Sequence, residues 1–207
     1  MSATFHLYGG SPSLEFVNTV DGMRGGESEQ ELLGSYPDLI AWAEQVGLLV
    51  PDAARRLLRL AGRAPLRAAG ALAEARRLRE ALYAVLLASL EQKPAKPGEL
   101  ALVNAWIGAT LADRRLVPAG GAFRLGWEER EDDLLAPLRE VAADATALLS
   151  SDRLQRVRLC GQAEVNRCSW LFLDGTRNNS RRFCSMKGCA NRAKARRHYQ
   201  RVRSDPS

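Results

Sequence analysis

The first 159 residues of this 207-residue chain contain no cysteine, and the whole chain has only two histidines, His6 and His198. One histidine stands near the start and the other in a basic stretch near the end. No G-x-S-x-G, P-loop or dinucleotide fingerprint occurs, and Gly9-Gly10 alone reads as a turn rather than a phosphate cradle. A Cys/His nucleophile pair would need thiols that are better used as metal ligands. These absences argue against an enzyme. No apolar run approaches the roughly 20 residues that span a bilayer, so no membrane partner is expected. The opening MSATFHLYGG lacks a basic segment followed by an apolar one, so no secretory signal is read and a reducing cytoplasm is the expected compartment. There are no internal repeats and no extended low-complexity segments.

The chemistry is concentrated in the last quarter. All four cysteines lie there, Cys160, Cys168, Cys184 and Cys189, in the pattern C-x7-C-x15-C-x4-C. Disulfides are disfavoured in a reducing compartment. A closed tetrahedron of thiolates is what a structural Zn2+ prefers, and two pairs separated by a connector suit it. Buried free cysteines, or a redox pair, are the alternative reading of the same spacing. Val157 to Cys160 and Cys168 to Asp174 read as short strands, and Gly175 to Ser180 as a polar turn. From about Lys187 the alanines Ala190, Ala193 and Ala195 favour a helix. So small a module has too little core to fold alone, and metal binding would supply folding free energy.

Charge is distributed as unevenly as sulfur. Residues 151–207 hold 14 Arg/Lys and 4 Asp/Glu, a net +10, whereas residues 1–150 hold 16 and 20, a net −4; together they give the +6 of the chain. A concentrated basic module points to a polyanion, and its preference for Arg over Lys suits bidentate phosphate and guanine contacts. Candidate nucleic-acid contacts are Arg177, Arg181, Arg182, Lys187, Asn191, Arg192, Lys194, Arg196, Arg197 and Arg201. On a helix, Arg192, Arg196 and Arg203 share one side and Lys194, Arg197 and Arg201 the opposite one. Ala195, Tyr199 and Val202 would form an inward stripe between them.

The runs Trp170-Leu-Phe-Leu-Asp174, Asn179-Ser-Arg-Arg-Phe-Cys-Ser-Met186 and Cys189-Ala-Asn-Arg-Ala-Lys194 resemble the CGNR zinc-finger family. Ala190 stands where that family's tetrapeptide has Gly, so a turn needing positive φ would have to differ here. The segments Gly9-Gly-Ser-Pro-Ser-Leu-Glu-Phe-Val-Asn-Thr19 and Tyr36-Pro-Asp-Leu-Ile-Ala-Trp-Ala43 resemble the opening of the ABATE domain that precedes this finger. The resemblance implies that Cys160, Cys168, Cys184 and Cys189 bind one structural zinc. It also implies that the chain is a bacterial transcription regulator whose finger binds DNA.

The expected fold is mainly α with a small antiparallel β-sheet, an α+β domain over residues 1–150, followed by a small zinc-finger module over 151–207. Residues 4–8 alternate as a short strand. Ser11 stands ready to cap a helix opened by Pro12. Helices are expected from Tyr36 to Val46, closed by Gly47; from Pro51 to about Ala61; from Pro65 to about Gln92; from Leu100 to Leu111; and from Leu134 to Leu149. On the longest, Arg76, Arg77 and Arg79 are assigned to the wet side. Arg114–Pro118 and Ala122–Trp127 flank a glycine turn as a hairpin, with the N-terminal strand as its candidate neighbour and the acidic run Glu128–Asp133 beyond it. Ser150–Asp152 reads as a hinge. Asn18 and Thr19 most simply satisfy backbone at a helix end; the sharper alternative is a ligand-facing polar group with Arg24. Double-stranded DNA is the expected partner. RNA, a protein partner with zinc serving only structure, a homodimer and a small-molecule effector are the alternatives and additions.

Overall fold

The computed structural model describes residues 5–127 and 133–204. Seven α-helices occur among them: α1 (Pro12–Val17), α2 (Tyr36–Gln45), α3 (Pro51–Arg63), α4 (Pro65–Leu90), α5 (Pro97–Ala112), α6 (Ala136–Leu149) and α7 (Asn191–Ser204). Three antiparallel two-stranded ribbons complete the fold: β1 (Val20–Asp21) with β2 (Gln30–Glu31), β3 (Arg114–Ala119) with β4 (Ala122–Trp127), and β5 (Val157–Leu159) with β6 (Leu171–Leu173). Each of α1 to α6 carries proline at its first or second position, where its missing N–H is no loss and its fixed φ fits the helix. Ser35 and Asp38 close a reciprocal capping box on α2. Gly47 follows that helix at φ +78°, a conformation that suits glycine.

The short α1 is the spine of the molecule. Ser13, Leu14, Glu15, Phe16 and Val17 are all buried. Phe16 meets the fully buried Trp42 of α2 with ring centroids 5.2 Å apart. The polar members of the opening motif are each bonded. Ser13 donates its backbone N–H and hydroxyl to Asp144 of α6 at 2.8 and 2.5 Å. Glu15 accepts the amides of Tyr8 and Gly10 at 3.1 and 2.9 Å. Gly9 passes so close to α1 that a Cβ there would stand 2.9 Å from Leu14 Cβ, and Gly10 needs φ +85°. Ser11 occupies the cap position, but its side chain makes no cap bond and lies 3.3 Å from the Ser13 hydroxyl instead.

Several expectations are corrected. Residues 5–8 form no strand, and Thr4 lies outside the described residues. The β3–β4 hairpin has Gly120 and Gly121 at positive φ, as a tight glycine turn requires, but among the described residues it joins no other strand. Residues 128–132 of the acidic run lie outside the described residues. Arg79 is not on a wet face: it is 3% exposed and grips Glu31 of β2 with two bonds of 2.7 and 2.6 Å. Arg76 is half-covered and donates to the Leu33 carbonyl, leaving Arg77 as the exposed member of the three. The helical period of α4 places Arg79 at the seam with the β1–β2 ribbon, which the local pattern cannot reveal.

The segment read as a hinge is a packed turn. Ser151 Oγ donates to the Leu148 carbonyl at 3.1 Å, residues Asp152–Arg156 form a 3-10 turn, and Leu154 packs against the main core. The β5–β6 ribbon then belongs to that core, because Val157 and Leu171 are fully buried in it. Residues 9–22 flank β6 and its approach: Leu173 N–H donates to Gly9 O at 2.7 Å, Ser169 N–H to Gly22 O at 2.9 Å and the Trp170 indole to Val20 O at 2.8 Å. Asn18 completes the seam by donating to Leu171 O at 2.8 Å and accepting Leu171 N–H at 2.9 Å.

Two predictions follow from these buried polar contacts. Asn18→Ala strands both backbone groups of Leu171, each worth about 1–3 kcal/mol when buried and unpaired. Its unfolding free energy by denaturant titration should therefore fall by about 2–4 kcal/mol. For Glu31, burial alone would raise the pKa, but the hydrogen bonds and charge of Arg79 hold it below the usual carboxylate value. Such a group stabilises fully above its unfolded pKa of about 4.3, and the contribution is lost as pH falls through the lower folded value. Arg79→Leu should cost about 2 kcal/mol at neutral pH, less than a fully enclosed pair because Glu31 is one-third exposed. The deficit relative to wild type should shrink on acidification below pH of about 4.

Candidate metal centre and basic helix

Cys160 follows β5, and its amide donates to Trp170 O at 2.9 Å, which extends the ribbon to the first sulfur. Gly161 next to it has no room for a side chain: a Cβ would stand 3.0 Å from the Arg182 carbonyl and 3.2 Å from the Phe183 ring. Its amide donates to that same carbonyl at 2.8 Å, fixing the approach of the Cys184 segment. Cys168 precedes β6. Cys184 and Cys189 flank a turn opened by Ser185, whose hydroxyl accepts the Gly188 amide at 3.1 Å. Residues Met186–Ala190 form one π-helical turn that runs directly into α7. Ala190 sits at the end of that turn and is not among the positive-φ residues, so no glycine is needed there.

All four thiols are buried and unbridged, and their sulfurs lie within 4.8 Å of one another. Cys168 and Cys184 are 3.8 Å apart and Cys184 and Cys189 3.5 Å. A tetrahedron with Zn–S near 2.3 Å has S···S edges of about 3.8 Å, so the set fits one zinc ion. Hydrogen bonds from the other thiols hold Cys160 well below the ordinary thiol range, whereas the bond shared with Cys160 pushes Cys168 and Cys184 up. Four thiolates coexist at such a distance only around a cation. The four residues would be its complete ligand set, and the role of such a closed site is structural.

The side chains around the centre are ordered by it. Arg192 Nη2 donates to Cys189 Sγ at 3.1 Å, and that bond raises its pKa. Gln162, fully buried, donates Nε2 to Cys189 O at 2.7 Å and accepts Arg196 Nη1 at 3.1 Å. Arg181 is half-buried with its guanidinium 4.3 Å from the centre of the Phe172 ring, and it donates to the carbonyls of Tyr8, Phe183 and Cys184. Those bonds tie the centre to the N-terminal segment. Asp174, also buried, accepts the amides of Thr176 and Arg181 and the Thr176 hydroxyl, shaping the 174–181 loop.

Of the other nucleic-acid candidates, Arg177, Arg182, Lys187, Asn191, Arg192, Lys194, Arg197 and Arg201 are exposed and Arg196 is half-buried. Within α7 only Ala193 is buried; Tyr199 and Val202 are 68% and 60% exposed. The inward stripe is therefore not Ala195, Tyr199 and Val202. The helix touches the body by its first turns and then runs outward, so its later apolar residues meet solvent. Asn18, Thr19 and Arg24 do cluster, as bonded groups. Thr19 Oγ1 donates to Phe16 O at 2.7 Å and accepts Arg79. Arg24 donates to Glu80 and Val17 O and lies 4.1 Å above the Tyr83 ring. None of the three lines the apolar cavity of about 560 Å³ bounded by Trp106, Ala109 and Leu135. Among the described residues no helix is long and apolar enough to cross a membrane.

Sequence reasoning missed Gln162, Asp174 and the Asn18–Leu171 link. Single polar residues carry no local signal of distant partners, although Asp174 closes an aromatic run in a way that marks it.

A closed four-cysteine centre rooting a basic helix defines a zinc-finger protein with one structural zinc. Residues 156–202 match the CGNR zinc finger, and residues 10–152 match the ABATE model, described as "Putative stress-induced transcription regulator". The chain therefore belongs to the ABATE family, with a CGNR zinc finger at its C-terminal side. No curated protein matches it. These families are of regulator and zinc-finger type rather than enzymes.

Removing the metal should have a local effect, because β5–β6 is held by the main core whereas the π-turn and α7 depend on the sulfurs. Hydrogen exchange after chelation is expected to show lost protection over 184–204 and retained protection over 157–159 and 171–173. Cys184→Ser should abolish the one equivalent of zinc measured by metal analysis. Uniform loss of protection across both regions would contradict this division.

Proposed function

We propose that the protein is a transcription regulator that binds duplex DNA through α7 and the loop before the π-turn, with zinc fixing the root of the helix. The observation that carries this is the charge of the segment. Residues 175–204 contain 10 Arg/Lys and no Asp or Glu. A solvated surface helix ordinarily interleaves both signs, and a run of one sign on an outward-running helix is the footprint of a polyanion partner. The exposed Arg177, Arg182, Lys187, Arg192, Lys194, Arg197 and Arg201, with half-buried Arg196, supply phosphate contacts. Asn191 at the start of α7, whose Nδ2 donates to Lys187 O at 3.2 Å, would offer its side-chain oxygen to a base edge. Arg181 serves to hold the loop. His198 and Tyr199 are the two aromatic rings on α7 against six Arg/Lys, a sparse interleaving that suits a duplex better than stacking on single-stranded RNA. The ABATE segment, with its apolar cavity, would receive the signal.

The reading is tested by fluorescence anisotropy of labelled duplex DNA over a salt series, with zinc-loaded and chelated protein and with RNA as competitor. Binding should weaken steeply with salt through counterion release, and Arg192→Ala or Arg196→Ala should each lower the log–log slope by about one. Chelation should abolish binding. Salt-independent binding, or binding indifferent to chelation, would refute it; stronger competition by RNA would transfer the function to RNA.

A further inference from the structure

The two sides of α7 are not equivalent. One faces the turn at residues 162–167 across a groove of about 420 Å³, lined by Arg167 from the turn, by Arg192, Arg196, Tyr199 and Arg203 from the helix, and by Gln162. Four guanidinium groups border this concavity, and among the described residues no carboxylate lines it. On the other side Lys194, Arg197 and Arg201 are exposed and do not line this groove.

Two of the four groove arginines are already fixed. Arg192 is bonded to the Cys189 sulfur, and Arg196 to the Gln162 carbonyl oxygen, both at 3.1 Å. Gln162 is itself held by Cys189 O, so the metal centre sets the position of both. A guanidinium held before its ligand arrives loses less entropy on binding. An array of like charges in a concavity also concentrates the field that attracts an anion. From Arg192 to Arg203 the helix runs about 16 Å at 1.5 Å per residue, long enough for more than one phosphate.

We propose that this groove seats consecutive phosphates of one strand of the duplex, with Arg192 and Arg196 as the fixed inner pair and Arg167 and Arg203 as outer clamps. Tyr199 packs against the sugar between them. Arg167 lies outside the helix, in the connector between the first two cysteines, so the clamp has two jaws from separate segments. Gln162 is a positioning residue that touches no phosphate. The proposal rests on the DNA-binding reading and narrows it to one side of the helix.

The test uses full-length, zinc-loaded protein and the same labelled duplex over a salt series. Arg167→Ala and Arg203→Ala should each lower the salt slope by about 0.9 and weaken binding several-fold. Arg59→Ala on α3 removes the same charge far from the groove and should change neither. Lys194→Ala and Arg197→Ala should change the slope less than either groove variant. Gln162→Leu should weaken binding several-fold while retaining one zinc per chain. If wild type binds and the two groove variants behave like Arg59→Ala, the groove is wrong and the DNA reading stands. If Gln162→Leu keeps its zinc and full affinity, the positioning role is wrong. If wild type fails to bind duplex at any salt, both fall.

Discussion

Four buried sulfurs within 4.8 Å of one another repel as thiolates and waste a core as thiols, so their placement makes sense only with a dication among them. That one constraint sets the C-terminal part of the chain. It joins Cys160 and Cys168, carried on a ribbon of the main core, to Cys184 and Cys189, carried on a turn with little core of its own. Through Cys189 it orders Gln162, Arg192 and Arg196, and through the π-turn it fixes the direction in which α7 leaves the body. A metal held there would fix the faces that the basic segment presents.

The other end of the construction is α1. Its motif could be mistaken for a ligand site, being rich in small and polar residues at an apolar helix. The structure uses every one of them as a fastener: Ser13 to α6, Glu15 to the preceding amides, Asn18 to β6 and Thr19 to Arg79. The matches at 10–152 and 156–202 meet across this seam. α1 thus packs against both α6 and β6, and Leu154 of the connecting turn packs against the main core.

Much of this was legible in advance. Helices α1 to α4 were marked by their opening prolines, the hairpin by Gly120-Gly121 and the metal site by cysteines confined to one window, whereas α5 begins at Pro97 rather than at the expected Leu100. Local rules suffice for these because each depends on neighbours in sequence. The sides of α4 and α7 were misread for the opposite reason. Arg79 looks like a surface residue until β2 brings Glu31 to it, and Tyr199 and Val202 look like core until α7 is seen to run outward and leave both largely exposed.

Most helices, the hairpin, the clustering of the four cysteines and the concentration of positive charge could be read from the residues alone, since propensity, thiol spacing and net charge are local properties, and the family resemblance added the single zinc. Only the tertiary structure decided that the finger shares its core with the helical domain and that Arg181 is a strut rather than an exposed contact. It alone brought Arg167 and Gln162 to face α7. Those outcomes depend on which distant backbone groups need a partner once buried, a requirement that exists only when the chain has folded and water has left.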